Sequence, residues 1–259
     1  MTEDIAARAR RRTAVVVAAV AAIVLVAVAT AAGLVVLLGR RDQAALGSAP
    51  VAAPSTVDTA AATVPSAPPS SQPSASPPTP DDLTWTTVAG ARVPVSRTAG
   101  PHDTAGGRAR GFAHSPLGAV LAAAHLSLRL CPQVGPDVFG ATLREQVVGA
   151  NAAALGQQIE DDYEQARAQL GLPYGQPAGR LYSTARGYRV DLDTPTTAAV
   201  RLLIEGPGKA GAPVLVELRV NTQWVGEDWA LIGPPGGTWN TATALVTDTT
   251  GYTQFPDGG

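Results

Sequence analysis

The run Val214-Leu-Val-Glu-Leu-Arg-Val-Asn221 decides the fold class. Val214, Val216, Leu218 and Val220 line one side, with Glu217, Arg219 and Asn221 on the other. This is the two-residue period of a strand with one face buried and one face out. The same period extends upstream. Val200, Leu202 and Ile204 point inward, with Arg201, Leu203 and Glu205 opposite, and Tyr188, Val190 and Leu192 alternate with Arg189 and Asp191. Gly206 to Pro213 reads as the hairpin loop between two of these strands. Downstream, Gly226-Glu227-Asp228 forms a turn into a last short strand, Trp229 to Ile232, before Pro234 and Pro235. The prediction is an antiparallel meander with one apolar face.

Before Arg180 the period is that of helices. Ser115 caps and Pro116 opens a helix whose apolar stripe is Leu117, Val120, Leu121, Ala124 and Leu128. It stops by Cys131, because Pro132 follows. The capping box Thr142-Leu-Arg-Glu145 predicts the start of a second helix. A longer helix after Asn151 carries Leu155, Ile159, Tyr163, Ala166 and Leu170 on one face and ends at Gly171. Trp85 to Gly100 reads as a lead-in, with Val88, Val93 and Val95 supplying an edge strand. Helices followed by a meander imply an α+β layer, with helices covering one side of a curved antiparallel sheet.

The rest of the chain differs in kind. Thr13 to Gly39 holds no charged residue and is nearly all Val, Ala, Leu and Ile. At 1.5 Å per residue it reaches about 40 Å, enough to cross a lipid bilayer with some tilt. Arg8, Arg10, Arg11 and Arg12 precede it and Arg40 and Arg41 follow, so the positive-inside bias places the N-terminus in the cytoplasm. A cleaved signal peptide ending at Ala29-Thr30-Ala31 is the rival reading. The apolar run continues from Gly33 to Leu38, however, beyond the ~7–15 residues of a signal core. Asp42 to Asp82 has nine prolines, no Lys or Arg and no aromatic. That composition buries too little apolar area to offset ordering entropy, and reads as an extended tether. The expected organisation is a cytoplasmic stub at 1–12, a membrane helix at 13–39 and a disordered linker at 40–82. An extracytoplasmic domain at 83–235 and a loose tail at 236–259 follow. Trp239, Tyr252 and Phe255 are available to pin the tail.

Composition excludes several functions. Net charge is −2, so nothing attracts nucleic acid globally. One cysteine rules out a disulfide framework and a Cys-rich zinc module. Only 15% of residues are charged, against ~25% in an ordinary soluble domain, and the outer domain itself is sparsely charged, with one lysine. Arginine outnumbers lysine eighteen to one, which with the alanine excess points to a GC-rich, bacterial genome.

A single N-terminal span, a tether and then helices before strands accompany a Trp-x-x-x-x-Trp element, Trp224 and Trp229, around the Gly-Glu-Asp turn. Together these resemble the membrane-anchored proteins of the nuclear-transport-factor-2-like cone fold, which include scaffold subunits of type IV secretion and conjugation systems. Gly111-Phe-Ala-His-Ser-Pro-Leu-Gly-Ala-Val-Leu-Ala-Ala123 is similar to a signature of actinobacterial membrane proteins found near conjugative elements. The resemblance covers Trp85 to Pro235. It implies a cone-shaped fold and an assembly role, and transfers no catalytic residue.

Individual residues offer little chemistry. His102, His114 and His125 lack the paired spacing of metal ligands. His114 is expected to hydrogen-bond locally before the cap. Ser115 follows His114 directly, and adjacent residues do not make a nucleophile–base pair. Gly206-Pro-Gly-Lys-Ala lacks the spacing and the Ser/Thr of a phosphate loop. Glu160, Asp161, Asp162 and Glu164 read as a solvated helix face, and Cys131 as a small buried hydrophobe. No cofactor, no metal and no catalytic group is expected.

Trp224 and Trp229 remain. They are either interface anchors or core residues closing the mouth of the sheet. The polar face with Arg201, Glu205, Glu217 and Arg219 is either solvated or a partner surface. Trp224, Trp229, Arg201, Glu217 and Arg219 are therefore the candidate partner or pocket residues. The expected function is a membrane-anchored, non-enzymatic assembly or scaffold protein, in its narrowest form part of a conjugation or secretion-type envelope complex. Its partners are the bilayer through residues 13–39 and envelope proteins or further copies of itself. The alternative is a module that binds a small ligand or a cell-wall fragment in the cone pocket.

Overall fold

The computed structural model describes residues 81–208 and 212–256. The expected stub, the membrane span at 13–39 and all but the last two residues of the linker lie outside the described residues. Among the described residues no helix is long and apolar enough to cross a membrane.

The fold is α+β. A hairpin, β1 (Leu83–Val88) and β2 (Ala91–Ser96), comes first, followed by helices α1 (Pro116–Arg129), α2 (Pro136–Gln146) and α3 (Ala152–Leu170). A two-residue strand, β3 (Val147–Val148), separates α2 from α3. The meander follows: β4 (Thr184–Asp193), β5 (Thr197–Pro207), β6 (Pro213–Val225) and β7 (Asp228–Ile232). Two further strands, β8 (Thr243–Val246) and β9 (Thr253–Gln254), close the chain. The sheet runs β1-β2-β4-β5-β6-β7-β3, with β8 on β6 and β9 on β4. The meander is antiparallel throughout, as the alternation predicts.

α1 is the central element. Ser115 caps it, accepting from the Gly118 N–H at 3.1 Å, and Pro116 takes the first helical position. Residues 118–127 are all buried, so the helix is wrapped on every side rather than along one stripe. It packs across β5, β6 and β7 and also touches β2 and β4. Two polar side chains are buried with it. The backbone carbonyl of Pro94 can only accept and the Arg129 guanidinium can only donate, so His125 carries its proton on Nε2 and leaves Nδ1 bare (2.8 and 3.0 Å). Burial first, and the Arg129 charge second, push the imidazole down to about 3, against the weaker opposite pull of the Pro94 carbonyl. Burial lowers Arg129 to about 10, and its Nε donates to the Gly107 carbonyl at 2.7 Å. The histidine thus serves as the acceptor that lets a buried arginine hold the 105–110 loop.

The second helix starts earlier than the capping box predicts. α2 begins at Pro136 after Gly135, and Thr142 lies inside it, bonding the Val138 carbonyl at 2.9 Å. Proline with φ preset for the first turn, followed by Asp137 near the helix dipole, outcompetes the later box. Glu145 instead pairs with Arg108 and Arg110. α3 matches the reading: Leu155, Ile159, Tyr163 and Ala166 are buried. Its acids are paired locally, Gln157 with Asp161, Gln158 with Asp162, and Arg167 with Glu164.

The ends of the domain require a larger correction. Residues 237–256, expected to be loose, are ordered onto the domain. β8 pairs with Leu215–Leu218 on β6, and β9 pairs with Gly187 and Tyr188 on β4. β5 lies between those strands, so residues 247–252 cross over it as a strap. Phe255 at the strap's end is buried against Tyr188 and Trp85. The turn Pro235–Gly237 packs on α3 so closely that a Cβ at Gly237 (φ +68°) would lie 2.5 Å from Ala154 Cβ. Before β1, Asp82 is tied to Ser96 and Thr98 and belongs to the domain rather than to the linker.

Candidate functional site

The five candidate residues do not form one surface. Side chains alternate along β6, whose register with β5 and β7 is unbroken from Pro213 to Val225. Glu217 and Arg219 therefore point to one face of the sheet and Trp224 to the other. Arg201 stands opposite Arg219 and shares its face, while Trp229 stands opposite Trp224. The outcome is an aromatic group on the concave face, at its open end, and a charged group on the outer face.

At the concave end, Trp229 is 2% exposed and donates its indole N–H to the Ala113 carbonyl at 3.0 Å. It is a core residue. Trp224 is half-buried, edge-on to Trp229 with centroids 5.4 Å apart. His114, which is exposed, lies flat on Trp224 at 4.0 Å and 9° from parallel, and its Nε2 bonds the Pro195 carbonyl. The Asp228 carboxylate fixes the loop that carries His114 by accepting from the N–H groups of Gly111 (2.8 Å), Phe112 (3.0 Å) and Trp229 (2.9 Å). The Trp224 N–H donates to the Thr196 carbonyl at 2.8 Å. Three separate chain segments thus hold one exposed, flat pair of rings. Spacing alone pairs the two tryptophans. The partner it misses is His114, whose position just before the Ser115 cap was the available signal.

Elsewhere on this face α1 packs directly on the sheet. The gap between α1 and the sheet beside Ala124, Leu128, Leu202 and Ile204 is about 10 Å³, room for at most one water. The expected cone pocket does not open there, because α1 is built of Gly, Ala and Leu and seats deeply.

On the outer face Glu217 is the hub. Its side chain is 7% exposed and takes Arg201 Nη1 at 3.1 Å, Arg219 Nε at 2.9 Å and the Tyr252 hydroxyl. Burial alone pushes Glu217 up, but these three donors outweigh it and hold the carboxyl below its usual range. Burial and the adjacent carboxylate raise the Tyr252 phenol to about 12. Arg201 also pairs with Asp191, which Arg189 Nε holds at 3.0 Å. The face is less polar than the alternation predicts, since Leu203 on it is fully buried. Beside this network a cleft of about 220 Å³ opens, walled by Asp191, Arg201, Arg219, Asn221, Pro234 and Trp239. Tyr252 and Trp239 were outside the candidate set because the tail that carries them reads as low-complexity sequence.

The remaining candidates have structural roles. Ser115 is a helix cap and both ring nitrogens of His125 are engaged. The Cys131 thiol is pushed up to about 12 by burial and by Asp162. Among the described residues no three His, Cys, Asp or Glu side chains converge as a metal group would require.

One family model, that of a domain of unknown function (DUF8175), matches residues 45–254. The match begins inside the stretch read as linker and runs through the strap. No curated protein and no solved structure matches the chain.

Proposed function

The chain belongs to the DUF8175 family, and we propose that it is a membrane-anchored, non-enzymatic assembly component whose folded domain lies outside the cytoplasm. The observation that carries this reading is the exposed His114–Trp224 stack, fixed from three segments at the end of a sheet across which α1 packs. A half-buried tryptophan in a rigid, partly desolvated setting is the kind of residue on which protein interfaces concentrate their affinity. Concave space for a ligand is what an enzyme or a small-molecule carrier built in the cone would need. The chargeless run Thr13–Gly39 and its arginine flanks support a single span with the N-terminus inside, and the proline-rich stretch supports a tether.

Within this proposal the domain is a cone of the nuclear-transport-factor-2-like kind, and the chain an actinobacterial part of a conjugation or secretion-type envelope complex. Support for the cone is the order of three helices before an antiparallel meander bent around α1. Support for the complex is the resemblance of residues 111–123 and of the Trp224–Trp229 element. The test is membrane fractionation of the full-length chain with protease added to intact cells, followed by extraction and sizing. The reading expects membrane retention, cleavage of the domain from outside, and an assembly larger than the monomer that Trp224→Ala dissolves. A monomeric chain recovered in the cytoplasmic fraction contradicts it.

A further inference from the structure

We propose that the outer-face cleft binds a monocarboxylate carried on a small apolar or ring-shaped body. The cleft lies on the opposite side of the sheet from His114 and Trp224, so this inference does not rest on the assembly reading.

The argument begins with Arg219. Its Nε is taken by Glu217 at 2.9 Å, and among the described residues its two terminal nitrogens carry no hydrogen bond. The side chain is 56% exposed, and the Arg219 backbone N–H is fixed to the Ala242 carbonyl at 2.8 Å. Glu217 is itself held by Arg201 and Tyr252, so the guanidinium is anchored through its Nε, and Arg219 lines the cleft. A planar fork of parallel N–H groups matches a carboxylate bidentately.

The neighbouring charges restrict the anion. Arg201 faces the cleft but is already shared between Asp191 and Glu217. With Asp191 on the same wall, the lining carries one net positive charge, and Glu217 lies directly behind it. That balance suits a single negative charge and opposes a phosphate dianion. The rest of the lining includes Trp239, Pro235, Ile232 and Ala242, with two polar residues, Asn221 and Thr241, among them. Half-buried Trp239 and exposed Pro235 offer an apolar surface for such a body, and Asn221 and Thr241 offer neutral polar contacts to orient it. A volume of about 220 Å³ admits a group of that size.

The test is ligand-observed saturation-transfer NMR on the full-length chain in detergent micelles. The probes are N-acetylphenylalanine, its amide, the acid acetyl-Ala-Ala-Phe and inorganic phosphate. Both acids are expected to bind, the amide at least tenfold more weakly, and phosphate is expected not to compete. Tighter binding of the tripeptide identifies a peptide C-terminus as the source of the carboxylate, and equal binding a free small acid. Arg219→Gln should cost at least tenfold in affinity and Arg219→Lys nearly as much, because an ammonium cannot fork. Arg97→Gln, at an exposed arginine elsewhere, should change nothing. Near-UV circular dichroism confirms that each variant is folded. Equal binding of acid and amide, wild-type affinity in both Arg219 variants, or competition by phosphate alone overturns the proposal.

Discussion

His114 and Trp224 lie face to face with ring centroids 4.0 Å apart, while Trp229, directly across the strand pair from Trp224, is sealed beneath them. The two tryptophans therefore separate by role. Trp229→Ala removes a buried ring and its hydrogen bond to Ala113, and should cost ~3–5 kcal/mol. Trp224→Ala removes a half-buried ring and an aromatic contact, and should cost only ~1–2 kcal/mol. Denaturant unfolding of the two variants measures the difference.

Gly118 stands where a Cβ would run into the Ala113 carbonyl, the acceptor of the Trp229 indole N–H. Gly118→Ala should lose ~1–3 kcal/mol although alanine is the better helix former. The indole N–H resonance of Trp229 should shift in the same variant, showing that the lost stability comes from this contact.

His125 is neutral in the folded state down to about pH 3, whereas an unfolded chain protonates it near 6.5. Its contribution to stability is complete above pH 6.5 and falls as pH drops toward 3, by about 1.4 kcal/mol per unit. His125→Gln should be less stable at pH 7, because Arg129 loses its acceptor, but should show a flatter profile between pH 6.5 and 4. Unfolding curves collected across that range check both effects.

Tyr252 titrates at about 12 when folded and at 10 when unfolded, so its contribution is complete below pH 10 and is lost as pH rises toward 12. Glu217 behaves in the opposite sense: its folded value lies below the ordinary 4.5, so its contribution is complete above 4.5 and is lost in acid. Tyr252→Phe should remove the alkaline decline without altering the shape of the acid limb attributable to His125. Hydrogen exchange at the β9 amides, followed against pH, reports release of the strap directly.

The meander was legible because period-two alternation in β5 and β6 is local information, as is the Ser115-Pro116 helix start. The strap was not legible. Its residues are Gly, Thr and Asp, and what fixes them is distant: Glu217 for Tyr252, Tyr188 and Trp85 for Phe255. The shift of α2 to Pro136 has a local cause, a proline preset for the first turn against a weaker capping box. At the candidate site, Trp224 and Trp229 could be paired by spacing, but parity along β6 already separated them from Glu217 and Arg219. His114 joined them only through the fold.

The central claim is that the His114–Trp224 edge is a partner surface, and site-specific photo-crosslinking on intact cells tests it most directly. The crosslinker is placed at exposed Glu227, beside that edge, and separately at Asp161 on the solvated face of α3. The account predicts a discrete adduct in the membrane fraction from position 227, none from 161, and loss of the adduct in Trp224→Ala although the variant remains folded. No adduct from 227, or one that Trp224→Ala leaves unchanged, would contradict it.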